Sequence, residues 1–240
     1  FILIFAWNKN SMQEFKTNNP KTHSCMFSEL SREQIASLKL QEIDRVYKKG
    51  EVLFNEGGYP KALYVVYKGV VKIHKYGNNG KEQITRLASA GDLIGYRSLL
   101  NHESYSASAT AVEETRLFKI PSDAFLDLLK ANSDFSMKVL KMLAGDLRKA
   151  EKQVIDMAQK SVREKVAEAL LLLSSKFGVN EDTAALNSKL TRKEIGDIAG
   201  VTTESAIRTI SDFNKEQIIE IDVFFPILIT FIQIYQILVT

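Results

Sequence analysis

TRKEIGDIAGVTTESAIR, residues 191–208, reads as two short helices hinged at Gly200-Val201. Thr191 followed three residues later by Glu194 is a T-x-x-E capping box, in which each side chain satisfies a backbone N–H of the other, so a helix begins at about residue 192. Ile195 and Ile198 lie on its buried face, and Gly196 lets a second helix approach closely. Gly200 ends it, because the residue past a helix C-terminus commonly takes the left-handed conformation that glycine adopts without steric cost. Thr202 then caps a second helix that carries Ala206, Ile207 and Ile210 inward. Two capped helices around one glycine turn are the grammar of a helix-turn-helix.

In such a motif the first residues of the second helix enter the DNA major groove, which makes Thr202 and Thr203 groove-side residues. Glu204 and Arg208, one turn apart, both face base edges. Arginine donates bidentately to guanine O6 and N7, and glutamate accepts from cytosine N4. The bland alternative is an intrahelical ion pair worth only ~0.3–0.5 kcal/mol. Its place directly after the turn favours DNA. Residues 160–222 hold 9 Lys and Arg against 11 Asp and Glu, a net charge of −2, so the segment offers no bulk attraction to phosphate. Lys189, Arg192 and Lys193 are its local phosphate contacts, helped by backbone amides at the two helix N-termini.

The rest of the chain sets bounds on this reading. Its 240 residues are 45% apolar and 25% charged, enough for a real core in one domain or two modest ones, and the net charge of +3 is too small to announce a polyanion by itself. A single cysteine, Cys25, excludes an internal disulfide framework and any cysteine-based metal or iron–sulfur site within one chain, which fits a reducing, cytoplasmic setting. His23, His74 and His102 are scattered, so no metal or haem site is expected. No nucleophile–base pair or acidic dyad stands out, which argues against an enzyme.

From about Asp44 to Ile120, short strand-like runs such as ALYVVYKG and VVKIHKY alternate with the turns NEGG, YGNNGKE and ASAGD. Some eight such strands without helical crossovers suggest a small antiparallel barrel or jelly roll. After Pro121 the pattern turns helical, and a long helix runs from about Ser133 to Gln159. Along it Leu140, Leu143, Leu147, Ala150, Val154 and Met157 follow one another at spacings of 3 and 4. That is a heptad seam, and it implies a second copy of the helix in a parallel homodimer. Phe135 and Val139, in the first turns, broaden the apolar face toward the chain's own barrel.

The ends differ from the middle. FILIFAWNKNS precedes Met12, a candidate start, and lacks the basic opening and cleavage site of a signal peptide. VFFPILITFIQIYQILVT, residues 223–240, carries no charge over 18 residues, at the lower edge of a membrane span. A tail anchor, a buried strand pair and a shifted reading frame all fit it.

Three stretches together resemble the CRP/FNR family of bacterial transcription regulators: YKKGEVLFNEGGYPKALYVVYKGVVKI (47–73), AGDLIGYRSLL (90–100) and TRKEIGDIAGVTTESAIRTI (191–210). The resemblance spans about residues 27–222 and implies an α+β chain. Its parts would be a cyclic-nucleotide-binding-like antiparallel jelly-roll barrel at 27–132, a dimerisation helix at 133–159 and a winged helix-turn-helix domain at 160–222. Residues 1–26 and 223–240 stand outside it. It implies a dimer on double-stranded DNA, an output through RNA polymerase, and Glu204 and Arg208 at the base-reading positions. Thr203 stands where the cyclic-AMP receptor subgroup has a further arginine.

The effector cassette departs further from the family pattern. Gly95, Tyr96, Arg97, Ser98, Tyr105 and Ser106 occupy it, with Tyr96 in place of the glutamate that holds the ribose and Tyr105 in place of the arginine that neutralises the cyclic phosphate. Losing that charge-assisted contact costs ~1.5–3 kcal/mol, which argues against cyclic AMP. The expectation is either another small effector or a filled cavity with none, and no cofactor. The iron–sulfur subgroup needs several N-terminal cysteines, which this chain lacks. A different class of function, a membrane-associated sensor or scaffold barrel anchored by the apolar tail, is the alternative.

Overall fold

The computed structural model describes Phe27 and residues 30–39, 41–42, 45–78, 80–180, 185–187 and 190–221. Four expectations therefore lie outside the described residues: the N-terminal segment 1–26, the phosphate contact Lys189, the wing that would follow residue 221, and the apolar tail 223–240. The described residues fall into two compact units. The first takes those up to Val71 together with Ala88–Gly145; the second takes Lys72–Leu87 and those from Asp146 onward.

A short helix α1 (Arg32–Ser37) precedes eight strands: β1 (Gln41–Glu42), β2 (Val52–Phe54), β3 (Ala62–Lys68), β4 (Val70–Tyr76), β5 (Glu82–Ser89), β6 (Leu93–Ile94), β7 (Ser108–Ala111) and β8 (Arg116–Pro121). They form two four-stranded sheets, ordered β1-β8-β3-β6 and β2-β7-β4-β5. The long antiparallel pairing of β3 with β8 runs from Ala62 opposite Pro121 to Lys68 opposite Arg116. This is the expected jelly-roll barrel. The β3–β4 turn depends on Gly69, whose φ is +90° and where a Cβ would lie 2.4 Å from the Glu114 carbonyl oxygen.

The barrel's core draws on both strands and helices. Leu63, Val65, Leu93, Phe118 and Ile120 meet Tyr96 and Leu99 of α2 (Tyr96–Asn101) and Phe125 and Leu128 of α3 (Ser122–Ala131). The 27-residue helix α4 (Ser133–Gln159) adds Phe135 and Val139, with the Phe135 ring edge-on to Phe125 at 5.8 Å between centroids. Its first turns serve the barrel, as the broadened apolar face predicts.

In the second unit, α5 (Val162–Phe177) opens on a capping box: Ser161 Oγ accepts from the Glu164 N–H at 3.3 Å, and the Ser161 N–H donates to Glu164 Oε2 at 2.8 Å. Lys165 Nζ donates to the Met157 carbonyl at 2.8 Å and Lys160 pairs with Asp156 at 3.0 Å and with Glu168, so the end of α4 is tied to α5. Val166, Leu170 and Leu173 then bury against Ile195 of α6 (Arg192–Ala199) and Ala206, Ile210 and Phe213 of α7 (Thr203–Lys215). The Arg163 guanidinium covers the Phe213 ring at 4.7 Å and pairs with Glu216.

Candidate functional site

Helices α6 and α7 are set by local chemistry. Thr191 Oγ1 accepts from the Glu194 N–H at 3.2 Å, and Glu194 Oε2 accepts from the Thr191 N–H at 2.7 Å. Gly200 ends α6 at φ +68°, in the left-handed region. Gly196 is buried where α6 and α7 cross, and a Cβ there would sit 3.4 Å from the Ala206 Cβ, at van der Waals contact. Thr202 Oγ1 accepts from the Ser205 N–H at 3.2 Å and opens α7.

The packed face of α7 is Ala206, Ile210 and Phe213. The outward face is Glu204, Ile207, Arg208 and Ser211, with Thr203 half-buried at its edge. One expectation is corrected here. Ile207, read from the sequence as an inward residue, is 42% exposed. Residues along a helix turn by about 100° each, so position 207 falls about 95° from the centre of the packed face and only about 60° from Glu204. The helical wheel holds that signal; reading Ile207 by its apolarity alone missed it.

Neither Glu204 nor Arg208 is in an ion pair among the described residues, so the bland intrahelical pair is not formed. The Glu204 carboxyl is held below the ordinary carboxylate range by its own backbone N–H and by the Thr202 hydroxyl. At neutral pH it is an ionised acceptor, and Arg208 is a fixed donor.

Of the expected phosphate contacts, Arg192 is exposed and Lys193 is engaged. Lys193 Nζ lies 2.7 Å from Asp197 Oδ2 and 3.6 Å from Glu82 Oε2, and the Asp197 hydrogen bond raises its pKa. Glu82 starts β5 and is nearly buried, with Lys72 Nζ at 2.6 Å and His74 Nδ1 at 2.9 Å. Burial pushes its carboxyl up, but the Lys72 hydrogen bond and charge, with His74 and Lys193, outweigh this and hold it below the ordinary range. Burial also holds the His74 imidazole below its usual pKa, against the pull of Glu82. Beside them Gln83 Nε2 donates to the Asp197 carbonyl at 2.9 Å. The β4–β5 hairpin thus grips α6 through Glu82 and Gln83, a contact that no local sequence pattern announces.

In the first unit the cassette residues separate. Gly95 caps α2 at φ +86°, Tyr96 and Ser98 are buried, and Arg97 is exposed, donating from Nε to the Tyr96 hydroxyl at 3.3 Å. Tyr105 is buried with its ring stacked on Phe54, centroids 3.8 Å apart and planes 16° from parallel. Its hydroxyl donates to the Ala62 carbonyl at 3.3 Å, its N–H donates to the Gly58 carbonyl at 2.7 Å, and its carbonyl accepts from the Gly57 N–H at 2.8 Å. Burial raises its hydroxyl pKa above the ordinary value. A Cβ on Gly95 would lie 3.2 Å from Tyr105 Cε1, so those two meet, whereas Ser106 is on the surface. Phe54, on β2, had no part in the sequence reading.

The seam residues of α4 also divide. Leu143 is half-buried against the barrel core, whereas Leu140, Leu147 and Val154 are 57%, 62% and 68% exposed at intervals of seven residues. Ala150 and Met157 are exposed too, though Met157 Cε lies within 3.7 Å of where a Gly200 Cβ would be. Among the described residues no helix is long and apolar enough to cross a membrane, and no group of three or more His, Cys, Asp or Glu is placed to hold a metal.

Two family models match the chain: a cyclic nucleotide-binding domain over residues 44–132 and a Crp-like helix-turn-helix domain over residues 164–230. Among curated proteins, the CRP-like cAMP-activated global transcriptional regulator of Mycobacterium tuberculosis is 28% identical over 191 residues, 78% of this chain and 84% of that protein. The fumarate and nitrate reduction regulatory protein of Yersinia pestis is 27% identical over 76% of each. Among solved structures, FixK2 from Bradyrhizobium japonicum superposes with a TM-score of 0.71 at 23% identity, covering 82% of this chain and 95% of that one, a likeness of fold.

Proposed function

Because this chain belongs to the CRP/FNR family of DNA-binding transcription regulators, we propose that it reads a twofold-symmetric DNA site as a homodimer, through Glu204 and Arg208, without cyclic AMP. One observation carries the reading: α7 exposes an ionised acceptor, Glu204, and a donor, Arg208, one turn apart, on the face away from Ala206, Ile210 and Phe213. The side chains can reach base edges while the helix keeps its packing. Thr202 and Thr203, with Arg192, supply phosphate contacts that set the register. Lys193 reaches phosphate only by exchanging Asp197 and Glu82 for it. Output then passes through RNA polymerase.

The test is selection of bound fragments from random DNA, repeated with small molecules from cell extract. A twofold-symmetric site with half-sites about 34 Å apart is expected. Enrichment of a single asymmetric element, or of nothing, overturns the dimer-on-DNA reading.

The cassette supports effector-free action in place of cyclic AMP control. Tyr105 stands where the cyclic-AMP-binding members place their phosphate arginine, and it is already engaged: its ring stacks on Phe54, its hydroxyl donates to the Ala62 carbonyl and its backbone pairs with Gly57 and Gly58. A cyclic nucleotide would have to displace that stack and would lack a cation for its phosphate, a loss of ~1.5–3 kcal/mol before any cost of moving Tyr105. Titration calorimetry is expected to show cyclic AMP binding no tighter than about millimolar, near −4 kcal/mol. Micromolar binding would mean that another cation, Arg97 first, serves the phosphate.

A further inference from the structure

Ile207 is the one large apolar residue of α7 that the domain leaves outside: Ala206, Ile210 and Phe213 are wholly buried, while Ile207 is 42% exposed beside Arg208 and one turn from Glu204. We propose that Ile207 reads the 5-methyl group of a thymine next to the base read by Arg208. The inference rests on α7 lying in the major groove. Within that groove, guanine, cytosine and adenine present donors and acceptors, and an isoleucine over them leaves those groups unsatisfied. The thymine methyl is the apolar feature of the unmodified groove, and it is what a branched aliphatic side chain can cover with gain. A single exposed isoleucine on an ordinary surface needs no partner; this one stands about 60° around the helix from Glu204, on the flank of the face that reads bases, where water must leave when DNA binds.

The position also divides the labour of the helix. Glu204 and Arg208 choose among base pairs by hydrogen bonds, and Ile207 adds a choice that hydrogen bonds do not make, thymine against the same base without its methyl. Thr203, four residues earlier and half-buried, flanks Ile207 on its own side of the helix.

The experiment uses the full chain and the selected DNA site, with each thymine replaced in turn by deoxyuridine, which removes only the methyl group. For the unsubstituted protein, one such replacement is expected to weaken binding about fourfold per half-site, the effect of one buried methyl. Ile207→Ala should bind the thymine site as weakly as the original protein binds the deoxyuridine site, and should show no further loss with deoxyuridine at that position. Ile207→Val, which keeps two methyl groups, should retain most of the penalty. Because Ile207 is exposed, the alanine variant should unfold at the same urea concentration, which separates a groove effect from a folding defect. If Ile207→Ala keeps every deoxyuridine penalty at its original size, the proposal falls. In that event a loss of guanine preference in Arg208→Ala leaves the DNA reading standing, and unchanged affinity in both variants removes that reading as well.

Discussion

Arg208→Ala is expected to weaken binding to the selected site by ~1–3 kcal/mol per half-site, about 5- to 150-fold, and to relax preference at one guanine. In a dimer both half-sites lose the contact, so the whole site loses about twice that free energy when the halves act independently. The size follows from what is removed: a planar guanidinium donating two hydrogen bonds to O6 and N7 leaves both acceptors without partners in a groove from which water has been displaced. The protein itself should hardly notice, since Arg208 is exposed and in no ion pair among the described residues. A variant of Lys193 behaves differently. Lys193→Ala should weaken all sequences alike, and because Lys193 is shared with Asp197 and Glu82 the salt slope should flatten by less than one full phosphate contact. Affinities for the site and for base-swapped versions, at one salt concentration, decide the matter. Equal weakening of every version by Arg208→Ala would make Arg208 a phosphate contact; no weakening would take α7 out of the groove.

Replacing Leu147 and Val154 together with lysine is expected to turn the protein into a monomer. Both side chains are largely exposed, so the folded chain does not depend on them, and urea unfolding should shift by no more than ~0.5 kcal/mol. Their spacing of seven places them on one stripe of α4 with Leu140, where a parallel partner helix would set the same residues against one another. Four lysines would then enter the seam of each dimer, and each would have to lose water beside a like charge. Light scattering should give the mass of one chain, and the selected site should bind only through single half-sites. A dimer mass unchanged by the double substitution would refute the seam, and would direct attention to surfaces of the barrel.

Much of this arrangement follows from short-range chemistry. Capping boxes at Thr191–Glu194 and Ser161–Glu164, the left-handed Gly200 and the Thr202 cap each involve groups within three or four residues, so their helices are readable one stretch at a time. The strands of the barrel are legible for the same reason: alternation and glycine turns are local signals. Leu143 shows where that reading weakens. Its spacing is that of a seam residue, but the barrel core claims it, because a heptad pattern records which face of a helix is apolar and not which neighbour covers it.

The sequence by itself determined the helix-turn-helix, the barrel, the long helix and the departure of the cassette at Tyr96 and Tyr105. The first three rest on residue type and spacing, and the departure of the cassette on the resemblance to the family. The outward face of Ile207 was legible in the helical wheel, whereas only the tertiary structure decided that Tyr105 lies stacked on Phe54 and that Lys193 is held between Asp197 and Glu82. The partners in the last two cases stand 51 and 111 residues apart along the chain for the pairs Phe54–Tyr105 and Glu82–Lys193, so no local period records them. Such contacts come from which surfaces remain to be covered once the elements have packed, and that is a property of the folded core rather than of any one segment.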